Sequence, residues 1–291
     1  MRLEDIEQEI KSGNAFKVEG GRGGNSHIVN LNGKKYFHKY RSEYPPFKGL
    51  SKIEFALFNY CKYHLPSTVY LNNGATAEER IKKEVSTIKL WNLHGIPSPK
   101  IVLHSKNSIV YEFMEGFSFG NSFNGEKLNE EDFGRILDCY SNLRRVAKEK
   151  KDIELLHPDP YADNFFYNES KEIVIPIDPG NVVKKKDFEE IDTRINLFFL
   201  CKIFHLKTTQ ENKLHYLKQT ADRFTKKEKE IMHALNTNPW FKRNYLELQN
   251  KWARIADYAG LKNRNWGVER LRIYYSAEVR ESIQKELIRK K

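Results

Sequence analysis

One stretch constrains the fold of this chain more than any other: His157–Gly180, HPDPYADNFFYNESKEIVIPIDPG. A histidine is followed by aspartates at 159 and 163 and by an amide at 164. Then come two apolar runs, separated by the polar turn Asn168-Glu-Ser-Lys, and the second run delivers Asp178. Apolar, turn, apolar reads as a hairpin. A hairpin would carry Asp178 back to the neighbourhood of Asp159 and Asn164, so that acids distant in the chain share one place. The blander reading has Asp159 and Asp163 capping backbone groups in a turn, with Asp178 ending a strand.

The residues upstream read as strands. AFKVEGGRGGNSHIVNLNGKKYFHKYR alternates through a glycine-rich turn and through Asn32-Gly33, a strong two-residue hairpin signal. Alternation aims Lys39 inward, with Lys34 and Lys35 as residues that could be confused with it. AEERIKKEVSTIKLWNLHG predicts a helix, with Ile81, Val85, Ile88 and Leu90 on or near one face and Gly95 ending it. On that helix Glu84 is the candidate inward acid, and Glu78 and Glu79 are its rivals. SIVYEFMEG predicts a buried strand running into a turn at Glu112–Met114. Beyond residue 115 the signal turns helical. NEEDFGRILDCYSNLRRVAKEK repeats Phe133, Ile136, Leu137, Tyr140 and Leu143 behind Asn129 as cap. EFALFNYCKYHL and DFEEIDTRINLFFLCKIFHL also read as helices. The expectation is an α+β chain, with a strand-rich part over 1–115 and a helical part over 116–291.

Phosphoryl transfer from ATP needs an oriented hydroxyl, an acceptor for its proton, Mg2+ on the phosphate oxygens and a lysine on the nucleotide. His-x-Asp-x4-Asn, a short hairpin and a second Asp is the pattern by which kinase-like folds supply these groups. In this and in its strand, helix and hinge signals the chain resembles the protein-kinase-like superfamily over about Phe16–Phe204, especially its bacterial small-molecule and sugar kinase branches. The Asp-Pro-x4-Asn-Phe loop is most similar to that of lipopolysaccharide core heptose kinases. The resemblance implies a bilobal fold, with a small antiparallel-sheet N-lobe and a helical C-lobe, and ATP and Mg2+ as cofactors. It implies Asp159 as the base that orients the hydroxyl, with His157 beside it, and Asn164 and Asp178 as metal ligands. Lys39 paired with Glu84 would hold phosphates, and the backbone of Glu112 to Met114 would take adenine. Gly21, Gly23 and Gly24 of GGRGGNS would cover the phosphates, since glycines let backbone N–H groups approach oxygens closely. Two departures stand out: Pro158 where regulated protein kinases carry Arg, and Pro179 where Phe is usual. With no Ala-Pro-Glu downstream, they argue for a compact acceptor over a peptide.

Composition narrows the partners. The formal charge of +11 favours an anionic acceptor or an acidic membrane surface. The three cysteines lie far apart with no CxxC, which disfavours zinc or a disulfide framework. The N-terminus MRLEDIEQEI carries acids where a signal peptide is apolar. The expectation is a cytoplasmic kinase, peripheral at the inner membrane, phosphorylating a sugar or glycolipid hydroxyl, with lipopolysaccharide core heptose as the resemblance implies. Two other readings stay open: an effector-type protein kinase, and a non-catalytic nucleic-acid module built on the Arg-, Lys- and Trp-containing segment 238–267. The plainer reading of that segment is amphipathic core helices, so nucleic acid is the disfavoured partner.

Overall fold

The computed structural model describes residues 2–18, 24–41, 76–119, 128–180, 187–204, 206, 208–237 and 277–289. Gly21, Gly23, the helical reading of 54–65 and the segment 238–267 lie outside the described residues.

The architecture is α+β. Helix α1 (Leu3–Lys11) precedes an antiparallel sheet of β1 (Ala15–Val18), β2 (Gly24–Leu31), β3 (Lys34–Arg41), β4 (Ile101–His104) and β5 (Ser108–Glu112). Its order is β1-β2-β3-β5-β4. Asn32 and Gly33 both take positive φ, 52° and 76°, and so close the β2–β3 hairpin as the Asn-Gly signal requires. Strand β3 alternates. Tyr36 packs with Ile6, Val29 and Val110 under α1, while Phe37 faces the large core on the other side.

Helix α2 (Ala77–Leu93) sits between β3 and β4 in the chain and opens on a capping box. Thr76 Oγ1 accepts from Glu79 N, and Glu79 Oε2 accepts from Thr76 N. Its buried stripe includes Ala77, Ile81, Glu84, Ile88 and Trp91, at helical spacing. Leu90 only flanks that stripe, and Trp91 fills the position instead. Gly95, at φ 70°, takes the left-handed turn that stops the helix.

A second sheet of β6 (Gly116–Ser118), β7 (Phe165–Asn168) and β8 (Ile173–Pro176) has order β6-β7-β8. The β7–β8 pair is the hairpin read from the sequence; Asn168 Oδ1 accepts from Lys171 N and Ser170 Oγ at its turn. Helices α3 (Glu130–Lys150), α4 (Phe188–Ile203), α5 (Gln210–Asp222), α6 (Lys226–Thr237) and α7 (Ala277–Ile288) complete the described elements. Asn129 caps α3 by accepting from Asp132 N, and Phe133, Ile136, Leu137, Tyr140 and Leu143 are all buried. A buried ion network ties three helices together. Arg144 on α3 grips Asp192 on α4 with two bonds of 2.8 and 2.7 Å and reaches Glu228 on α6 at 2.7 Å. Cys139 and Cys201 are free thiols. No helix among the described residues is long and apolar enough to cross a membrane.

Candidate active site

The inward face of β3, the middle of α2 and the segment after β8 meet at one cluster of charges. Lys39 Nζ donates to Glu84 Oε1 at 2.8 Å and lies 2.8 Å from Asp178 Oδ1. Arg41, two residues along and therefore on the same face of the strand, donates to Glu84 Oε2 at 2.7 Å and also to Asp178 Oδ1. Tyr111 OH from β5 adds a 2.6 Å bond to Glu84 Oε1. Two cations therefore balance two carboxylates, and Glu84, at 1% exposure, is bonded on both oxygens. The rival acids are accounted for: Glu79 serves the capping box and Glu78 pairs with Lys82 on the helix surface.

The electrostatics follow from this pairing. Burial opposes ionisation of Glu84, yet the charges of Lys39 and Arg41 hold its pKa below the ordinary value. Burial likewise pushes Asp178 up, and Arg41 and Lys39 outweigh it, so the carboxyl stays well below the usual range. Burial and then the Glu84 charge raise the Tyr111 phenol well above its normal value, so it remains a donor. The Asp178 side chain keeps 41% of its surface accessible even though protein crowds around it. It therefore stands at the mouth of the cluster, with a left-handed backbone at φ 57°.

His157 joins this cluster to the loop before it. Its Nε2 donates to Ile177 O at 2.8 Å, and its Nδ1 accepts from Asp159 N at 3.2 Å. That pattern requires the neutral Nε2–H tautomer. Burial, the largest effect, depresses its pKa and favours the same state. The ring is 1% exposed and stacks on Trp91 at 5.7 Å. With both nitrogens engaged by backbone it has no atom left for a substrate. His157 thereby links Asp159 N to the carbonyl of Ile177, the residue before Asp178.

Asn164 closes the loop. Its Nδ2 donates to Asp159 O at 2.7 Å, and its own carbonyl accepts from Ile177 N at 2.9 Å. The amide's donation fixes its direction and leaves Oδ1 as the acceptor for a cation. Asp159 Oδ1 is buried and has no hydrogen-bond partner among the described residues. Lys202 Nζ, from the last turn of α4, lies 4.0 Å from it.

At the turn after β5, Glu112 N donates to Lys100 O and Phe113 N donates to Lys35 O. Met114 N–H has no partner among the described residues, so of the hinge candidates it is the N–H available to a ligand. Gly24 opens β2 opposite Arg41; Gly21 and Gly23 lie outside the described residues.

Sequence reasoning missed Arg41, Tyr111 and Lys202. Alternation from Lys39 was a signal for Arg41, and a tyrosine inside the apolar SIVYE run was one for Tyr111. Nothing local marks Lys202.

No protein-family model matches this chain, and no curated protein matches it. Among solved structures, the chain is similar to the Rio2 kinase of Chaetomium thermophilum, in a complex with ADP, Mg2+ and phosphoaspartate. The identity is 13% and the TM-score 0.40, over 79% of this chain and 73% of the other.

Proposed function

We propose that this chain is an ATP- and Mg2+-dependent phosphotransferase that phosphorylates an alcohol. The observation that carries the reading is the gathering of Lys39, Glu84, Asp178, Asn164 and Asp159. A continuous chain of contacts of 2.7–2.9 Å joins them: Lys39–Glu84, Lys39–Asp178, Ile177–Asn164 and Asn164–Asp159. The half-buried Asp178 carboxylate and a buried Asp159 oxygen with no hydrogen-bond partner among the described residues support a site that a ligand completes.

The donor set suits Mg2+. Asp178 and Asn164 offer hard oxygens, and Mg2+ keeps water and phosphate oxygens in the rest of its shell. Among the described residues no group of three or more His, Cys, Asp or Glu forms a cage of its own, which fits an ion bound largely through the nucleotide. When bound, the ion would neutralise phosphate charge. The chain's own residues divide the remaining tasks. Lys39, steadied by Glu84, grips the nucleotide's phosphates; Met114 N–H and the Glu112 carbonyl serve adenine. Asp159 orients the attacking hydroxyl and takes its proton, and His157 fixes the loop that holds it. On this reading residues 1–115 present the nucleotide and 116–291 present the acceptor.

The acceptor is a sugar or glycolipid hydroxyl, with lipopolysaccharide core heptose as its narrowest form. The basic balance of +11 supports an anionic acceptor and a cytoplasmic enzyme lying at an acidic membrane face. The experiment incubates the purified protein with ATP and Mg2+ against a lipopolysaccharide extract, a panel of small sugars and generic proteins. Asp159→Ala and Asp178→Ala should each lower transfer by roughly 10²–10⁴-fold, and Asp178→Ala should also weaken Mg-nucleotide binding. Undiminished transfer in either variant rejects the assignment. Phosphate arriving on protein alone replaces the sugar acceptor with a protein one.

A further inference from the structure

Arg41 has no part in the roles assigned above, yet it is built into the site from several sides. It is buried, at 6% exposure. Its backbone N donates to Asn107 O at 2.8 Å, which anchors the end of β3 to the turn before β5. Its guanidinium donates to Glu84 Oε2 at 2.7 Å and to Asp178 Oδ1. Gly180 leaves the room this needs, since a Cβ there would lie 2.6 Å from Arg41 Nη2.

These bonds sort the carboxylate oxygens of the site. Each oxygen of Glu84 already accepts two bonds: Oε1 from Lys39 and Tyr111, and Oε2 from Arg41 Nη2 and, at 3.3 Å, Nε. Glu84 is therefore filled and has nothing to offer a metal. Asp178 is different. Lys39 and Arg41 both meet its Oδ1, and among the described residues nothing bonds its Oδ2. In the proposed function Lys39 turns to the nucleotide's phosphates, and Arg41 is then the cation that still holds Oδ1. A carboxylate pinned by one oxygen meets a metal only through the other. Ligation through one oxygen suits Mg2+, which demands a near-ideal octahedron and keeps several waters. Ca2+ takes a larger, looser shell and gains from carboxylates that chelate with both oxygens.

We propose that Arg41 sets the metal specificity of the site: by holding Asp178 Oδ1 it leaves that carboxylate a single oxygen for the cation, which favours Mg2+ over Ca2+. The proposal rests on the phosphotransferase reading above. Arg41 is a positioning residue here; it acts on the metal through Asp178.

The test measures binding of ADP to the full chain by calorimetry, once with Mg2+ and once with Ca2+ at the same concentration. The wild type should bind Mg-ADP tighter than Ca-ADP by roughly 10-fold or more. Arg41→Met removes the guanidinium and should lower that ratio by roughly 10-fold, because Oδ1 becomes open to Ca2+. Arg41→Lys keeps a charge, but one ammonium does not bond two carboxylates as the planar fork does, so the ratio should fall by less. If Arg41→Met does not fold, Arg41→Lys carries the comparison. A ratio is read because a loosened fold or a lost charge weakens both complexes alike and leaves it unmoved. Equal affinity of the wild type for the two complexes overturns the proposal, and so does a ratio that stays at the wild-type value in the variant. In both of those outcomes the wild type still binds Mg-ADP, and loss of that binding in Asp178→Ala keeps the phosphotransferase reading standing. A wild-type chain that binds ADP with neither metal brings both down.

Discussion

A Cβ added at Gly180 would lie 2.6 Å from Arg41 Nη2 and 3.0 Å from Glu84 Oε2. An arginine end group can normally swing away from such a contact. Here it is bonded on one side to Glu84 and on the other to Asp178, so retreat breaks the cluster. Gly180→Ala should therefore destabilise the fold by about 1–3 kcal/mol and weaken Mg-nucleotide binding, read by denaturant titration and calorimetry. A neutral result in both would mean that Arg41 is held less firmly than its bonds indicate. Arg41→Met should be harsher, about 3 kcal/mol or more, because it leaves two carboxylates to share Lys39 in a buried setting. Site residues were legible in the sequence where chemistry dictates spacing. Asp159, Asn164 and Asp178 fall at intervals that a loop and a hairpin must bring together. Glu84 is an acid inside an apolar helical stripe, which demands a buried partner. The approach of Lys202 to Asp159 was illegible because it depends on where α4 ends in space, and no local pattern encodes that.

At the scale of elements, β3 carries the Lys39–Arg41 charge cluster on one face and apolar packing on the other. His38 alternates with Lys39 and lies on the side covered by α1, 4% exposed, with neither ring nitrogen hydrogen-bonded among the described residues. Burial, and then the neighbouring His27, lowers its pKa from 6.5 to about 4. The sign follows from linkage. Between about pH 6.5 and pH 4 the unfolded chain binds a proton that the folded chain refuses. Stability from His38 is complete above the upper value and falls as pH drops toward the lower one, by about 3 kcal/mol in total. His38→Phe should flatten that part of the profile in urea titrations at stepped pH. An identical slope in the variant would assign the loss to other groups. Elements themselves were readable wherever a short-range signal suffices: Asn32-Gly33 for the β2–β3 hairpin, Gly95 for the end of α2 and Asn129 for the start of α3. Sheet order was not readable, because β3 pairs with β5 rather than β4, and that pairing is decided by packing across some seventy residues of chain.

For the whole molecule, the functional question is how the sheet and the helical part are held around a ligand. Lys39 and Arg41 come from the sheet, Glu84 from α2, and Asp159, Asn164, Asp178 and Lys202 from the helical side. Among the described residues, Lys39 and Arg41 make the direct charge links from β3 to Asp178. Helix α2 braces the same junction: Trp91 Nε1 donates to Leu155 O at 3.0 Å, and Lys83 pairs with Glu154. A nucleotide held by both sides binds the folded arrangement and not the unfolded chain, so it must stabilise by mass action. At 100 times its Kd the gain is about 2.7 kcal/mol, which in a chain of this size raises Tm by roughly 4–5 °C. Thermal scans with Mg-ATP should show that rise in the wild type and in Asp159→Ala, whose lost group the proposed function assigns to the acceptor side. They should show little of it in Asp178→Ala, which removes a ligand-side oxygen and unbalances Lys39 and Arg41 together. An equal rise in Asp178→Ala and the wild type would move the nucleotide away from this junction, and the roles drawn for both sides of it would go with it.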